Sequence, residues 1–338
     1  MCLVKSMMVL FTNSRTESDQ VIGANSQMKI GIDLGGTNIA AGLVDNEYKI
    51  IEKASTPTLA DRPINEIIDD IVDLCKSIVV HRQMTMGEVE TIGIGCPGTV
   101  DNKNGVVVYA NNICMENVKL CAELEKRLGK PVNVENDANA AALGEYVVNG
   151  GGAESFVFVT LGTGVGGGVV IDGKLYRGFN GAGAELGHII IDPDGEQCTC
   201  GNKGCWEAYA SVTALIRQTK AAMDMDSDSM MHAWVADRGA ITGRTAFDCA
   251  KAGDSTAQKV VDQYIKHVGT GLISVLNIFQ PRLILIGGGI SKEGEYLLDP
   301  LRKCVYAGDY NKFMPKTEIK AASLYNDAGI IGAALLEK

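Results

Sequence analysis

Four candidate metal ligands lie close together, within residues 188–205 of the chain. They are one histidine and three cysteines, His188, Cys198, Cys200 and Cys205. Three thiolates and one imidazole suit tetrahedral Zn²⁺, and four protein ligands leave no open position, which is typical of a structural site. A disulfide and a chance cluster are the alternatives, but Cys198 and Cys200 are too near in sequence to bridge easily. The spacing therefore predicts a loop organised by structural zinc, in which Gly201 and Gly204 allow tight turns.

Length and charge exclude several classes of protein. A chain of 338 residues suits two domains, each with its own core. The net charge of −10 and the absence of a basic run argue against a nucleic-acid surface, which needs clustered lysine and arginine. Seven of the ten cysteines are scattered outside the cluster, as in reduced cytoplasmic proteins, so we expect a cytoplasmic location. No apolar run is long enough to span a membrane.

Two segments of the chain share a strand, a glycine-rich turn and a second strand. Asp33 and Asp45 of the first segment align with Thr160 and Asp172 of the second at the same offset of 127 residues. This repetition indicates a duplicated unit. Apolar spacing predicts helices at 64–80, 118–128, 138–147, 255–279 and 327–336, and strands at 89–95, 131–135 and 282–286. Strands that alternate with helices predict an α/β fold.

Residues 1–27 differ from the rest of the chain. They carry a short apolar run and then a polar one, without the periodic pattern of a packed element and without a signal-peptide cleavage site. We predict a disordered leader over 1–27 and the start of the fold at Met28.

Three glycine turns are candidates for binding nucleotide phosphates. Glycine lets backbone N–H groups face phosphate oxygens, and close approach of a ligand explains tolerating a cost of roughly 0.5–1 kcal/mol per glycine. The alternatives are a plain hairpin for the first two turns and a strand-to-helix turn for the third. The predicted nucleotide-binding residues are Asp33, Gly35, Gly36, Thr37, Asn38, Gly162, Thr163, Gly164, Gly166, Gly167, Gly287, Gly288 and Gly289.

Asp137 follows Asn136 at the end of a predicted strand, where a helix begins. Capping of that helix by either side chain is the structural explanation. A carboxylate that accepts a proton is the functional one, and neighbouring residues can serve both purposes. Asp33 ends a strand as well and could hold Mg²⁺ through water, because Mg²⁺ prefers hard oxygen ligands.

The cysteine region resembles the signature of the ROK family of sugar kinases and sugar-responsive repressors. The matching residues are Glu185, Gly187, His188, the C-x-C-G-x-x-G-C run and Glu207. The resemblance covers nearly all of 28–338 and implies a two-domain actin-like ATPase/hexokinase fold with an interdomain cleft. It implies a small domain of 28–138 plus about 325–338, and a large domain of 139–324 that carries the zinc loop 188–205.

The same resemblance implies an activity, which is ATP-dependent phosphorylation of glucose at its C6 hydroxyl. In family kinases the aspartate matching Asp137 is the general base. The residues that match the family's sugar contacts are Asn112, Asn136, Asp137, Glu185, His188 and Glu207. His188 can serve twice, because one ring nitrogen can bind zinc while the other donates to a sugar hydroxyl. ATP, Mg²⁺ and structural Zn²⁺ are the expected cofactors.

Other activities remain open at the level of sequence. N-acetylmannosamine or another hexose could be the substrate, and Met115 departs from the tryptophan common at that place in family glucokinases. A sugar-responsive repressor is a different class of function. It requires an N-terminal helix-turn-helix, for which residues 1–27 are too short. We expect a small hexose as partner, no nucleic acid, no membrane, and a homodimer or higher homo-oligomer.

Overall fold

The computed structural model describes residues 10–11 and 28–337. Nearly all of the predicted leader lies outside the described residues. Its two described residues form β1, which pairs antiparallel with β4 through Leu10–Ser55 and Phe11–Ala54. No helix in the described part of the chain is both long enough and apolar enough to cross a bilayer.

The strands and helices alternate along the chain, as expected for the predicted α/β class. The strands are β1 (Leu10–Phe11), β2 (Met28–Leu34), β3 (Asn38–Val44), β4 (Ile50–Pro57), β5 (Val89–Cys96), β6 (Thr99–Asp101), β7 (Val106–Ala110), β8 (Met115–Val118), β9 (Val132–Asn136), β10 (Ser155–Leu161), β11 (Val165–Ile171), β12 (Lys174–Leu175), β13 (Leu283–Gly287) and β14 (Glu318–Ala321). The α-helices are α1 (Ile64–His81), α2 (Leu120–Leu128), α3 (Asp137–Asn149), α4 (Glu207–Ala210), α5 (Val212–Met225), α6 (Met230–Arg238), α7 (Thr245–Lys251), α8 (Ser255–Phe279), α9 (Glu295–Gly308) and α10 (Asp327–Ala334).

The chain divides into two compact units. The first consists of the residues up to Gly151, Leu175–Gly183 and the residues from Asn326 onward. The second consists of Gly152–Lys174 and Ala184–Tyr325. The first unit extends beyond the boundary expected at residue 138, because α3 packs closely against α10 within it.

The two units share a sheet topology. In the first, β3, β2, β5 and β9 are neighbours in that order, and in the second β11, β10, β13 and β14 follow the same order. The first pair of each set is antiparallel and the other pairs are parallel. The bounds of β10 and β11 are those of β2 and β3 moved by 127 residues, which is the offset that the internal repeat predicted.

The two equivalent hairpins differ in the length of their turns. Leu34 pairs with Ile39 in the first hairpin, which leaves residues 35–38 between them. Leu161 pairs with Val165 in the second, which leaves only residues 162–164. The two glycine turns therefore occupy equivalent positions, but the second turn has one residue fewer between its last paired residues.

The helix predicted at 118–128 is wrong at its start. Residues 115–118 form β8, which pairs with β7 through Met115–Ala110 and Val118–Val107, and α2 begins only at Leu120. Strand pairing overrides local helical preference in this segment. Met115 is buried in the core of the first unit, where its thioether fills space among apolar side chains.

Helix α10 consists mostly of small residues because it lies directly on the first sheet. A side chain at Gly31 or Gly93 would collide with backbone carbonyls of α10, at 1.8 Å from Ile330 O and 1.7 Å from Ala333 O. The sheet and this helix therefore approach at backbone distance, which only glycine permits. Helix α10 therefore packs against β2, whose last residues include Asp33.

Candidate functional site

Asp137 is the first residue of α3, directly after β9. Asn136 caps this helix, because its Oδ1 accepts hydrogen bonds from the amides of Ala138 at 2.9 Å and Asn139 at 3.2 Å. The Nδ2 of Asn136 donates to Gly98 O at 3.2 Å, so the cap is also tied to the turn after β5. Capping by Asn136 leaves the Asp137 side chain at the helix N-terminus, where a negative charge is favoured.

Asp33 and Asp137 interact electrostatically in the first unit. Asp33 pairs with Gly95 across β2 and β5, and Gly95 in turn lies against the backbone of Asp137. Burial, followed by the charge of Asp137, raises the pKa of Asp33 to about 6, while Lys53 acts in the opposite direction. Burial also raises the pKa of Asp137, against a hydrogen bond from the Ala138 amide. Two half-buried carboxylates of this kind suit a proton acceptor beside a cation site.

Sequence reasoning gave no role to Glu135, yet it supports the start of α3. Its Oε1 accepts hydrogen bonds from the Asn136 amide at 3.0 Å and from Asn139 Nδ2 at 3.2 Å. Its Oε2 forms an ion pair with Arg177 of the first unit. The side chain of Glu135 is 4% exposed and that of Arg177 is 32% exposed, so this buried charge depends on its partner. No local signal links these residues, because they are 42 positions apart.

The first glycine turn is hydrogen-bonded by Thr58, and two of its amides have no acceptor among the described residues. Gly35 N donates to Asn38 O at 2.9 Å, and Thr58 bonds to the turn twice, through Thr58 Oγ1 to Gly35 O at 2.6 Å and Thr58 N to Thr37 O at 2.9 Å. Among the described residues, nothing accepts a hydrogen bond from the amides of Gly36 and Thr37. These two amides are the part of the turn that an anion would contact.

Asn112 lies beside this first turn. It belongs to the 3₁₀ turn Asn111–Ile113, and its side chain is exposed. A Cβ on Gly36 would be 3.3 Å from Asn112 Cβ, which means that the turn and this residue are already in contact. The structure thus brings one predicted sugar residue next to the predicted phosphate turn of the same unit.

The second glycine turn repeats the arrangement in the second unit. Gly162 N donates to Gly164 O at 3.0 Å, and no described residue accepts from the amides of Thr163 and Gly164. The predicted residues Gly166 and Gly167 lie in strand β11 instead of in the turn. A Cβ on Gly167 would be 2.7 Å from Phe158 O, so strand packing explains this glycine.

Different constraints apply to the three glycines of the third run, 287–289. Gly287 ends β13 and packs against the ring of Phe158, where a Cβ would be 2.6 Å from the ring. Gly288 has a φ of 83° and leaves no room for a side chain beside Leu161 O. Only Gly289 faces open space. Packing and backbone conformation therefore account for two of the three glycines, and Gly289 remains as a residue that a ligand could approach.

The four predicted metal ligands converge in the second unit. The candidate donor atoms of His188, Cys198, Cys200 and Cys205 all lie within 4.8 Å of one another. His188 Nδ1 is 3.7 Å from Cys198 Sγ, and Cys200 Sγ is 3.6 Å from Cys205 Sγ. A tetrahedron with Zn–S near 2.3 Å and Zn–N near 2.0 Å has an S···S edge of about 3.8 Å and an N···S edge of about 3.5 Å. Two of the six donor–donor distances therefore match a tetrahedral zinc ion, and the other four are no longer than 4.8 Å.

The thiols of the cluster also affect one another electrostatically. Burial, with the neighbouring thiols Cys200 and Cys198, raises the pKa of Cys205 to about 12. A cation reverses this effect, because a coordinating thiol is deprotonated outright. Since Nδ1 of His188 faces the sulfur of Cys198, Nε2 is the ring nitrogen left to donate elsewhere.

Glu185 and Glu207 flank the cluster on short elements of the second unit. Glu185 has φ −71° and ψ 68°, and Leu186 N donates to Ala184 O at 2.8 Å, which is an inverse γ-turn with an exposed Glu185 at its centre. The next turn requires glycine at position 187, because a Cβ there would be 2.1 Å from Val165 O. Glu207 begins α4, and its Oε2 accepts from Val165 N at 2.9 Å.

The sequence profile of the ROK family matches residues 29–338, which is nearly all of the described chain. The chain belongs to the ROK family. Its fold is the actin-like ATPase/hexokinase fold of ROK hexokinases.

Kinases and repressors both occur among the relatives of this ROK protein. The glucokinase of Thermotoga maritima is 39% identical, over 91% of this chain and 96% of its own length. The crystal structure of a ROK family glucokinase from Streptomyces griseus in complex with glucose and AMPPNP is 38% identical, with a TM-score of 0.78, and covers 91% of this chain and 98% of that one. A xylose repressor from Caldicellulosiruptor bescii is 29% identical, over 90% of this chain and 76% of its own length.

Proposed function

We propose that this ROK protein is a glucokinase, which transfers the γ-phosphoryl group of ATP to the C6 hydroxyl of glucose. The observation that carries the proposal is the 39% identity to the Thermotoga maritima glucokinase over almost the full length of both chains. The polar residues described above give that likeness a chemical basis. They supply a proton acceptor, two turns with free amides and a loop that carries carboxylates.

Six residues are proposed to hold the hexose. In the first unit they are Asn112, Asn136 and Asp137, and in the second they are Glu185, His188 and Glu207. Each offers a carboxylate, an amide or an imidazole nitrogen, which are the groups that pair with vicinal hydroxyls. A site that pairs a C2 hydroxyl with such groups rejects a sugar that lacks it, because the protein groups are then left unpaired.

Asp137 is proposed as the general base. Its carboxylate accepts the proton of the C6 hydroxyl while that oxygen attacks the γ-phosphorus in line. Burial raises the pKa of Asp137, which makes its carboxylate a stronger base than an exposed aspartate. Asn136 and Glu135 hold the first turn of α3, so they fix where this carboxylate lies.

The phosphates of ATP are proposed to lie on the glycine turns. The free amides of Gly36 and Thr37 and those of Thr163 and Gly164 donate to phosphate oxygens and stabilise the charge that develops during transfer. Asp33 would hold Mg²⁺ through water, and the ion would supply charge neutralisation at the transferred group. Gly289, which has open space beside it, fits a wall for the adenosine.

Zinc is proposed as a structural ion. His188, Cys198, Cys200 and Cys205 would hold it, and four protein ligands leave no position for a reacting molecule. Its role would be to keep the loop rigid, so that Glu185 and Glu207 stay in place on their short elements. Both carboxylates flank the cluster, and neither is one of the ligands.

A coupled assay of ADP release over a panel of hexoses and N-acetylhexosamines tests the proposal. We expect kcat/KM for glucose to exceed that for N-acetylmannosamine by at least roughly 100-fold, because an unpaired polar site costs more than a missing methylene. Equal values, or a preference for the acetamido sugar, would overturn glucose as the substrate while leaving a hexose kinase. No ADP release with any sugar would favour the sugar-responsive repressor instead, although a net charge of −10 argues against DNA binding.

Location and assembly complete the proposal. A cytoplasmic enzyme agrees with the scattered thiols, and a homodimer or higher homo-oligomer stays a prediction. Light scattering coupled to size-exclusion chromatography measures the second directly, and a monomeric mass at micromolar concentration would contradict it.

A further inference from the structure

Residues 205–213 contact the second glycine turn at three successive points. Val165 N donates to Glu207 Oε2 at 2.9 Å, and Val212 N donates to Gly162 O at 2.8 Å. The hydroxyl of Thr213 donates to Thr163 O at 2.7 Å. These three bonds hold the turn from one side, while its free amides at Thr163 and Gly164 remain available.

The same residues are anchored to the metal cluster at their other end. Cys205 is one of the four candidate ligands, and Trp206 N donates to Ile189 O at 2.8 Å, next to His188. The indole of Trp206 is fully buried, and its Nε1 donates to His267 O at 2.9 Å. Glu207 Oε1 is 3.9 Å from the sulfur of Cys198. One short stretch of chain therefore touches both the cluster and the turn.

This stretch cannot keep its shape by itself. Helix α4 has only four residues, far fewer than a helix needs to be stable in isolation. Its order depends on the cluster with Trp206 at one end and on Ser211 at the other. It also depends on three side chains, those of Tyr264, Arg217 and Gln218, which donate to the carbonyls of Ala210, Ala208 and Tyr209. Ser211 caps α5 by accepting from Ala214 N at 3.1 Å. A loss of order at the cluster would reach the glycine turn through Glu207, Val212 and Thr213.

We propose that residues 205–213 couple the metal cluster to the nucleotide-binding turn, and that Thr213 is a positioning residue for the phosphates of the nucleotide. The inference rests on the proposed function, since it takes the second turn as a phosphate site. It adds a second role to the metal, which then supports nucleotide affinity as well as the sugar loop. It also gives Glu207 two partners, a sugar hydroxyl and the amide of Val165.

Thr213 gives a test that separates the nucleotide from the sugar. Thr213→Val removes the hydroxyl that fixes Thr163 O, so the turn must be ordered when the nucleotide binds. We expect the dissociation constant for AMPPNP, measured by calorimetry without sugar, to rise by about threefold to tenfold, the value of one hydrogen bond. The dissociation constant for glucose should stay unchanged. Thr213→Ser keeps the hydroxyl and should restore nucleotide affinity.

Thr270→Val is the matched control, because the hydroxyl of Thr270 also donates to a backbone carbonyl, Lys266 O, within α8. Its AMPPNP affinity should equal that of the wild type. The role of Thr213 is overturned if Thr213→Val binds AMPPNP as the wild type does, or if Thr213→Ser is as weak as Thr213→Val.

Removal of the metal tests the coupling itself. The full-length protein, treated with a chelator and then compared with the same protein after zinc is restored, should bind AMPPNP several-fold more weakly in the absence of sugar. If metal removal lowers glucose affinity but leaves AMPPNP affinity unchanged, the coupling is wrong and the proposed glucokinase stands. If the untreated protein binds neither AMPPNP nor glucose, the proposed function fails, and the inference fails with it.

Discussion

Asp33 and Asp137 lie close enough in the first unit for the charge of Asp137 to raise the pKa of Asp33. Burial acts in the same direction, so the folded protein holds a carboxylate with a pKa of about 6 where an unfolded chain has 3.8. Such a group destabilises the folded state at neutral pH. Two carboxylates kept together at this cost are expected where a cation and a proton transfer need them.

We predict that Asp33→Asn increases stability at pH 7.5. A folded-state pKa above the unfolded value means that the native state binds more protons, so the stability of the wild type falls as pH rises from about 4 to about 6. The difference between the two pKa values corresponds to about 3 kcal/mol at most. Urea denaturation at pH 7.5 and pH 5 measures the effect, which should be smaller at pH 5.

Asp73→Asn is a suitable control for this experiment, because Asp73 is exposed on α1. Its free energy of unfolding should change by no more than about 0.5 kcal/mol. A less stable Asp33→Asn variant at pH 7.5 would contradict the prediction.

Asp137→Asn should abolish turnover and spare glucose binding. The amide keeps the shape of the carboxylate and its place at the start of α3, but it cannot accept the proton of the sugar hydroxyl. We expect kcat to fall by at least about 100-fold, the usual contribution of a general base. Steady-state kinetics give kcat, and calorimetry gives the dissociation constant for glucose. A kcat close to that of the wild type would remove Asp137 from the role of base.

The Glu135–Arg177 ion pair predicts a compensation between two substitutions. Arg177→Met leaves the Glu135 carboxylate buried and unpaired, which should lower the free energy of unfolding by about 3 kcal/mol, toward the lower end for buried pairs because Arg177 is partly exposed. Adding Glu135→Gln removes the buried charge and should recover most of that loss. Chemical denaturation of both single variants and the double variant measures the coupling. Additive effects would show that the pair does not act as a unit.

Much of the fold could be predicted from the sequence where the signal was local and repeated. The long helix at 255–279 and the offset of 127 residues both agree with the structure. Apolar spacing and strand length depend on residues that are consecutive in the sequence, so both could be predicted. The start of the helix predicted at 118–128 was misjudged, since Val118 pairs with Val107 of β7. Register is likewise set by partners, and for that reason the shorter second turn could not be predicted.

The candidate site shows the same division between local and distant signals. The cysteine cluster was predictable because its ligands recur within a short stretch, and the structure brings their donor atoms together. Arg177 and Thr213 were not predictable, because each acts on a residue far along the chain, Glu135 and Thr163 respectively. Gly166 and Gly167 show the opposite problem, because they were predicted to lie in the turn and lie in β11, where strand packing explains Gly167.

The metal cluster gives the last prediction. Metal analysis of the purified protein should find about one zinc per chain, because four donors converge in one place. Cys198→Ser should lose most of this metal, lower the melting temperature and raise KM for glucose, since the loop that carries Glu185 and Glu207 loses its anchor. Cys114→Ser is the control, because Cys114 is an exposed cysteine of the first unit, outside the cluster, and it should keep both metal and stability. A Cys198→Ser variant that contains no zinc but melts and works as the wild type does would show that the cluster needs no ion to hold its shape.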